Sequence, residues 1–261
     1  MQGCALWASE VLPQIRIIGV KGLPEIEPGD DLTTLIIAAA EEQGTPIDDD
    51  DVIVVTQKIV SKAEGRLVAL GTVQPSSQAQ QIASETGKDP RLVQVILGES
   101  QRIVRQTSGV LITQTRQGFV CANAGIDASN IGGQDHVSLL PEDPDASAAT
   151  ICKGIEERLG KRVAVVISDT FGRPWRLGHT NVAVGVAGML AFVDYVGETD
   201  PQGYELKVSI MAVTDELAGA AELVMGKLSR IPVAIVRGFP YPKGEGKAQD
   251  LVRPPEQDLF R

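Results

Sequence analysis

The residues best suited to chemistry follow a buried strand in the second half of the chain. The apolar run VAVVI (163–167) predicts a strand, and Ser168, Asp169 and Thr170 come directly after it. Polar groups at the end of a buried strand lie where ligand sites commonly form. Asp169 can bind a hard cation, and Thr170 can contribute its hydroxyl or carbonyl oxygen. For Asp169, the sequence supports a functional role about as well as the role of an ordinary turn residue.

The same stretch, SDTFGRPWRLGHT (168–180), holds four other conspicuous side chains. Arg173 and Arg176 can clamp phosphate or carboxylate oxygens, or they can brace the loop. His179 can act as an acid or base, but a hydrogen-bonded structural histidine is the more common case. For Trp175 we favour packing over stacking on a ligand.

A second candidate is the turn NAGIDASN (123–130), which follows the apolar stretch QGFVCANA. Its side chains offer the oxygen donors Asp127, Ser129 and Asn130. Turns rich in oxygen donors can hold Mg²⁺ or Mn²⁺ and leave coordination positions for phosphate oxygens. The alternative is an Asx turn, in which Asp and Asn bond to their own backbone, and the local sequence alone favours it.

A third candidate is cationic. The stretch QKIVSKAEGR (57–66) is predicted as a polar loop after a buried strand, with Lys58, Lys62 and Arg66 at intervals of four residues. An acidic protein gains little solubility from a local cluster of cations, so a phosphate partner is one interpretation and ordinary surface lysines are the other. Together the three candidates indicate metal-assisted chemistry on a phosphate.

Two further features are assigned structural roles. The run Asp48–Asp51 predicts a solvated turn rather than a metal site, because consecutive side chains point in different directions. Cys121 lies on an apolar strand and is assigned to the core. With Cys4 and Cys152 it forms an odd set without metal-ligand spacing, which argues against a disulfide framework and suits a cytoplasmic protein.

The elements that must position these residues mix strands and helices without a regular βαβ alternation, which predicts an α+β fold with mixed sheets. Acidic residues before the segment 32–43 mark the start of one helix. Another is predicted for the segment 145–160, in which Gly160 lies just past the last helical residue. Further helices are predicted for 76–87 and 89–101, a pair of strands for 110–126, and a long loop for 127–145. The segment from residue 206 predicts a strand that leads into a helix, and the segment from residue 231 predicts the last strand.

Composition excludes several classes of protein. The 261 residues are 43% hydrophobic and only 4% aromatic, so the core must consist of aliphatic side chains. The net charge of −10 disfavours nonspecific binding to nucleic acid. No stretch reaches the length of a membrane span, and neither common phosphate-binding loop is present.

The ordered set of motifs resembles the coenzyme F420:L-glutamate ligases, also called coenzyme F420-0 gamma-glutamyl ligases. The matching pieces span residues 14–261: GLPEIEPGDDL, VVTQKIVSKAEGR, NAGIDASN, LLPEDPDASA, SDTFGRPWRLG, VTDELAGAAELVMGK and IPVAIVRGF. The resemblance implies a GTP-dependent ligase that joins coenzyme F420-0, or its dehydro form, to L-glutamate through an acyl phosphate and then adds gamma-linked glutamates. It also implies Mg²⁺ or Mn²⁺, with K⁺ as a further ion, and a homodimer of two intertwined subdomains within a single domain, 1–261.

The resemblance also assigns residues. It implies that the GLPEI turn, Leu23, Pro24, Glu25 and Ile26, contacts GTP. It places Gln57, Lys58, Lys62 and Asn130 at the nucleotide, together with the late segment Met225, Gly226 and Lys227. Asp127 and Asp169 would hold one divalent ion and carry the catalysis, and Thr170 would help to hold a second.

The chain departs from the family at Lys227, where some archaeal members have a glutamate that serves the second metal. A lysine cannot ligate as a carboxylate does, so either this second site is lost or Lys227 replaces part of its charge. The chain looks closest to the ligase half of bifunctional actinobacterial proteins, and we expect it to lack their nitroreductase-like domain. The alternatives are a GTP-dependent ligase for another carboxylate and a non-catalytic nucleotide- or cofactor-binding homologue.

Overall fold

The fold is that of a computed structural model, which describes residues 12–127 and 135–258. Helices and strands alternate irregularly along these ranges. In chain order they are β1 (Arg16–Val20), α1 (Leu32–Glu42), β2 (Val52–Thr56), α2 (Gln57–Ala63), β3 (Leu67–Ala69), α3 (Ser77–Thr86), α4 (Pro90–Gly98), β4 (Ser100–Thr107), β5 (Val110–Thr115), β6 (Val120–Ala122), β7 (His136–Ser138), α5 (Pro144–Leu159), β8 (Ala164–Arg173), β9 (Arg176–Ala187), β10 (Val193–Asp194), β11 (Ile210–Met211), α6 (Val213–Met225) and β12 (Val233–Arg237).

A five-stranded sheet with the order β1-β12-β2-β8-β9 organises the molecule. Strands β1 and β2 both pair antiparallel with β12, and β2 pairs parallel with β8. Strands β1, β2 and β8 therefore run in one direction, while β9 and β12 run in the other. The predicted α+β class with mixed sheets is confirmed.

The central strands are continuous aliphatic runs because both faces of the sheet are covered. The first four residues of β2, VIVV, and the first five of β8, AVVIS, are buried regardless of the face they point to. Helices α1, α5 and α6 supply Ile36, Ile155 and Leu217 to the same core. Helix α5 approaches β9 closely at Gly185, where a Cβ atom would stand 2.3 Å from the carbonyl oxygen of Pro144. No helix in the described part of the chain is long and apolar enough to cross a membrane.

Helix ends agree with the sequence signals. The Asp31 carboxylate accepts hydrogen bonds from the backbone N–H and the hydroxyl of Thr34 and so caps α1. Ser76 and Asp89 cap α3 and α4 in the same way. Helix α5 ends at Gly160, which has a left-handed φ of 64° that glycine adopts without strain. The capping-type residues thus predicted these helices correctly.

A second, smaller core lies in the middle of the chain. Helices α3 and α4 pack on the sheet β4-β5-β6 through Ile82, Val93, Ile96 and Leu111. Helix α4 packs on this core through one apolar face, because Val93 and Ile96 are about one turn apart and both are buried. Strand β4, SQRIVRQT, was not predicted, since its few apolar residues do not alternate clearly with polar ones.

Three predictions of irregular structure were wrong. The segment predicted as a polar loop from residue 57 is largely helix α2, which begins directly after β2. The loop predicted for 127–145 contains β7, which pairs with β3. The stretch SDTFGRPWRLGHT is not a loop: β8 runs on to Arg173, turns and returns as β9. The polar residues of these stretches favoured irregular structure, but several of them, including Gln57, Ser61 and Ser138, are buried, and their placement depends on tertiary packing.

The aspartate run is also only partly a solvated turn. Asp51 is fully buried, and its carboxylate accepts hydrogen bonds from Nε and Nη2 of Arg237 at 2.8 and 2.7 Å. Asp48, Asp49 and Asp50 are exposed, as predicted. The burial of Asp51 could not be predicted locally, because its partner lies 186 residues away.

Candidate active site

Sheet topology brings four of the predicted segments to one end of the central sheet. Strands β1 and β2 finish there and are followed by the GLPEI turn and by helix α2. Asp169 and Thr170 of β8 lie at the same end, directly after Ser168, the last residue that pairs with β2. Strand β12 runs the other way, so the connection from α6 that carries Lys227 also arrives at this end. We call this region the carboxyl end of the sheet.

Helix α2 places two lysines on one face, one turn apart. Lys58 forms an ion pair with Asp127, with 2.8 Å between Nζ and Oδ2. Lys62 is buried, and its ammonium group pairs with the carboxylate of Glu25 in the GLPEI turn. The hydrogen bond from Lys62 lowers the pKa of Glu25 below its usual value. The helix thus connects the loop of Asp127 with the turn after β1.

The carboxyl group of Asp169 has a pKa raised from 3.8 to about 6. Burial is the largest cause, because it disfavours the charged form. The nearby carboxylate of Asp127 raises the pKa further, whereas the backbone N–H of Thr170 and the ammonium groups of Lys227 and Lys58 lower it. Two carboxylates and two ammonium groups therefore share one small region.

Thr170 lies beside Asp169 and has two hydrogen-bond partners. Its hydroxyl donates to Oδ1 of Asn181 on β9, at 2.7 Å, and accepts from Nζ of Lys227, at 2.6 Å. The amide nitrogen of Asn181 donates in turn to Oε2 of Glu222 on α6, at 3.0 Å. Strand pairing sets this arrangement, because Thr170 and Asn181 are opposite each other in the β8–β9 ladder.

A strained turn delivers Asp127 to the site. Asn123 and Ala124 have φ of 53° and 56°, left-handed values that side chains other than glycine rarely adopt. Gly125 follows with φ of 70°, and a Cβ atom there would stand 2.9 Å from the side chain of Leu140. Asp127 itself is held by backbone hydrogen bonds to Ser138 of β7. Three successive left-handed residues require tertiary support, which the packing on Leu140 provides.

Comparison with known proteins identifies the family of the chain. Residues 20–238 match the model of the F420-0:Gamma-glutamyl ligase family. The chain belongs to this family. It is 48% identical over 250 residues to the coenzyme F420:L-glutamate ligase of Methanothermobacter thermautotrophicus, covering 95% of this chain and 99% of that protein. It is 44% identical over 255 residues to the ligase of the same name from Methanopyrus kandleri, covering 96% and 99%. It is also 48% identical to the Methanocaldococcus jannaschii ligase over 208 residues, which are 79% of this chain and 83% of that protein.

Not every residue that the family resemblance assigned presents its side chain to this site. Ile26 and Met225 are buried in the main core, so only their backbone can face a ligand. Gln57 is buried, and its side-chain oxygen accepts a hydrogen bond from Ser61. Gly226 caps the end of α6 and turns the chain toward Lys227. Asn130 lies outside the described residues.

Donor types at the carboxyl end of the sheet fit a hard divalent cation. Asp127, Asp169 and Thr170 offer two carboxylates and a hydroxyl, the oxygen ligands that Mg²⁺ and Mn²⁺ prefer. Burial, and to a smaller extent the carboxylate of Asp127, raise the pKa of Asp169, and this favours a cation because a positive ion would stabilise the charged form of the buried carboxylate. Among residues 12–127 and 135–258, no group of three or more His, Cys, Asp or Glu side chains forms a metal site.

Two residues of the site were missed from the sequence. Asn181 stands in the apolar strand sequence TNVAVGVA, and a polar residue at a buried position there was the available signal. Glu222 lies on α6 among exposed and buried residues and gave no signal. Conversely, Arg173 donates to the carbonyls of Leu177 and Gly178 and so braces the hairpin turn. His179 and Trp175 are exposed in the hairpin, and their structural roles stay predictions.

Two cavities near the carboxyl end of the sheet border a pair of aromatic rings that pack edge to face. Phe171, two residues after Asp169, packs against Phe119 with 6.3 Å between ring centroids. A cavity of about 210 Å³ is lined by both rings, and one of about 740 Å³ has Phe119 in its wall. Cys121 lies in the core, as predicted. It is close to Asp169, and burial raises the pKa of its thiol to about 12. Such a thiol is not a nucleophile.

Proposed function

We propose that this protein is a GTP-dependent ligase that forms an amide bond between the carboxylate of coenzyme F420-0, or its dehydro form, and the amino group of L-glutamate. Further glutamates are then added through gamma linkages. The family and the names of its relatives support the ligase activity. The single observation that favours phosphoryl chemistry at this place is the raised pKa of Asp169 beside Asp127, Lys58 and Lys227.

The chemistry explains why such a site is needed. A carboxylate is a poor electrophile, so an oxygen of the acceptor carboxylate first attacks the γ-phosphorus of GTP and GDP leaves. The amino nitrogen of glutamate then attacks the acyl carbon, the bond from this carbon to the phosphate oxygen breaks, and inorganic phosphate leaves. The proton lost by the amine passes to solvent or to phosphate. The protein must orient three reactants and compensate the negative charge of the phosphates.

The described residues divide these tasks. Lys58, Lys62 and Lys227 are cations at the carboxyl end of the sheet and would face the phosphate oxygens of GTP. The backbone of the turn from Leu23 to Ile26 and the start of α2 at Gln57 would form the wall of the nucleotide site. The partners that Lys58 and Lys62 hold in this structure, Asp127 and Glu25, keep the ammonium groups in place for an incoming anion.

Asp127, Asp169 and Thr170 would hold Mg²⁺ or Mn²⁺, which would supply charge stabilisation for the phosphoryl group. The burial of Asp169 excludes water from one side of this position and strengthens its electrostatic interactions. We place K⁺, as implied by the resemblance, at the same phosphate region. The thiols of Cys121 and Cys152 are free, which agrees with the cytoplasmic location that we propose.

We also propose a homodimer, and the β8–β9 hairpin supports it. Strand β2 pairs with β8 only as far as Ser168, so the remainder of the hairpin projects from the sheet. Its tip exposes 77% of Trp175 and 97% of Leu177. Large apolar side chains in such a position are typical of a surface that another chain covers. Leu177→Lys should convert a dimer to a monomer in light scattering, whereas Val208→Lys, at another exposed position, should not.

The decisive experiment measures GDP release with F420-0, L-glutamate and GTP. We expect release that depends on F420-0, together with a product one glutamate heavier by mass spectrometry. Release that depends on another carboxylate and not on F420-0 would contradict the substrate. A product formed without any consumption of GTP would contradict the nucleotide.

A further inference from the structure

Four side chains at the carboxyl end of the sheet form a continuous chain of hydrogen bonds. Lys227 donates to Thr170, Thr170 donates to Asn181, and Asn181 donates to Glu222. The three distances are 2.6, 2.7 and 3.0 Å. Three separate elements contribute to it, since Thr170 and Asn181 lie on paired strands, Glu222 on α6, and Lys227 just beyond the end of α6.

The chemistry of its two ends fixes the direction of this chain. An ammonium group can only donate, and an ionised carboxylate can only accept. The Nδ2 group of Asn181 must therefore face Glu222, which leaves its Oδ1 to face Thr170. Thr170 then has to give its one proton to Asn181, and its lone pairs remain for Lys227. Asn181 is buried, so water is a poor substitute for either partner.

We infer that Glu222 and Asn181 are positioning residues that hold Thr170 as an acceptor and thereby hold the ammonium group of Lys227 beside Asp169. The inference rests on the proposed function for the ligand, an oxyanion of a phosphoryl group. Lys227 is exposed apart from this contact, so its remaining N–H groups can reach a ligand. A flexible lysine at a helix end would otherwise lose side-chain entropy on binding, and the chain of hydrogen bonds reduces that loss.

The test uses Glu222→Gln, because an amide can both donate and accept. With Gln at this position Asn181 can turn its amide over and donate to Thr170. The proton of Thr170 is then no longer held toward Asn181 and can also point toward Lys227, so the ammonium group loses its fixed acceptor. We expect kcat/KM for GTP to fall about tenfold, through KM more than kcat, the size of one hydrogen bond to a charged group. Glu216→Gln removes the same charge from an exposed position of α6 and should leave both constants unchanged.

A double-mutant cycle separates this role from a merely structural one. In a Lys227→Met background, Glu222→Gln should have no further effect on the KM for GTP, because the group that it positions is gone. An equal effect in both backgrounds would overturn the inference, as would an unchanged KM for the single variant. A fall in kcat by the same factor for all substrates, together with a lower melting temperature, would also overturn the inference.

The cycle is repeated by calorimetry with inorganic triphosphate and Mg²⁺, which needs no turnover. Wild-type protein that binds triphosphate but consumes no GTP would contradict the proposed function alone. Wild-type protein that turns over GTP while Glu222→Gln keeps its KM and its triphosphate affinity would contradict the positioning role alone. Absence of both triphosphate binding and GTP turnover in the wild type would overturn both.

Discussion

The two ends of the central sheet use the same kinds of charged groups in opposite ways. At the amino end of β2, Asp51 is fully buried and pairs with two nitrogens of Arg237, and exposed ion pairs join Asp48 to Arg237 and Asp50 to Lys243. At the carboxyl end, Asp169 is buried near another carboxylate, that of Asp127, and its pKa is raised mainly by burial. The first arrangement satisfies its buried carboxylate within the protein, whereas at the second we propose that a bound cation and phosphate complete the balance of charge.

The pKa shifts express this difference. The carboxylate of Asp51 holds the pKa of Arg237 above its ordinary value, mainly through the hydrogen bonds between them. Burial instead raises the pKa of Asp169 to about 6, so its charged form is less stable in the folded protein than in water, although it still predominates at neutral pH. A pair of the first kind supports the fold, whereas a buried carboxylate with a raised pKa is typical of a functional site.

The comparison predicts that Asp169 matters for activity and not for stability. Asp169→Asn keeps the shape of the side chain and removes its charge. We expect kcat/KM to fall at least roughly 1000-fold, as for the loss of a central electrostatic group. Urea unfolding at pH 7.5 should show an unchanged or higher free energy of unfolding. A variant that kept its activity, or that unfolded more easily, would contradict this assignment.

Arg237 should behave in the opposite way. Arg237→Met leaves Asp51 buried without its cation, which should lower the free energy of unfolding by about 3–5 kcal/mol. Activity per folded molecule should stay the same, because Arg237 ends β12 at the end of the sheet away from Lys227. The matched control is the pair of changes Arg237→Met and Asp51→Leu, which removes both charges. This control should recover most of the stability, and a failure to do so would show that Arg237 stabilises by packing instead.

The pH dependence of stability should report the carboxyl end specifically. Asp169 binds its proton more tightly in the folded protein, with a pKa of about 6 against 3.8 unfolded. Its contribution is therefore fully present below pH 3.8 and is lost as the pH rises through 6, by about 3 kcal/mol at most. The difference in unfolding free energy between wild type and Asp169→Asn, measured from pH 4 to pH 8, isolates this contribution from other groups. A flat difference would mean that Asp169 titrates normally.

Much of this site could be predicted from the sequence because its residues directly follow strands. Lys58 follows β2, and Asp169 follows the buried aliphatic run at the start of β8, so such runs pointed to both. The contacts of Asp127 needed the fold, because the three left-handed residues before it depend on packing against Leu140. The same reason hid Asp51, whose partner is distant in the chain. The local sequence predicts where strands end and helices are capped. It does not predict which residues pair across the sheet, because that depends on the register of the strands.

The resemblance and the structure contribute differently to the assignment of Lys227. Its departure from the expected glutamate was visible in the sequence, but its partner was not. The hydrogen bond to Thr170 depends on how far α6 extends, because the helix ends at Met225 and Gly226 redirects the chain. Asn181 and Glu222 then follow only from the β8–β9 register and the packing of α6 on β9. Such chains of polar contacts are fixed by tertiary structure and not by local propensity.

The smallest predicted effect on stability concerns an exposed ion pair at the amino end of the sheet, in contrast to the buried pair of Asp51 and Arg237. Lys243 and Asp50 form an ion pair with 2.6 Å between Nζ and Oδ1, but both side chains are about half exposed. Solvent screens such pairs and both side chains lose entropy, so Lys243→Met should change the free energy of unfolding by no more than about 0.5 kcal/mol. The effect should vanish in 1 M salt, as expected for a Debye length of about 3 Å. A loss comparable to that of Arg237→Met would mean that the amino end acts as one cooperative network, and that burial of Asp51 alone does not account for its stability.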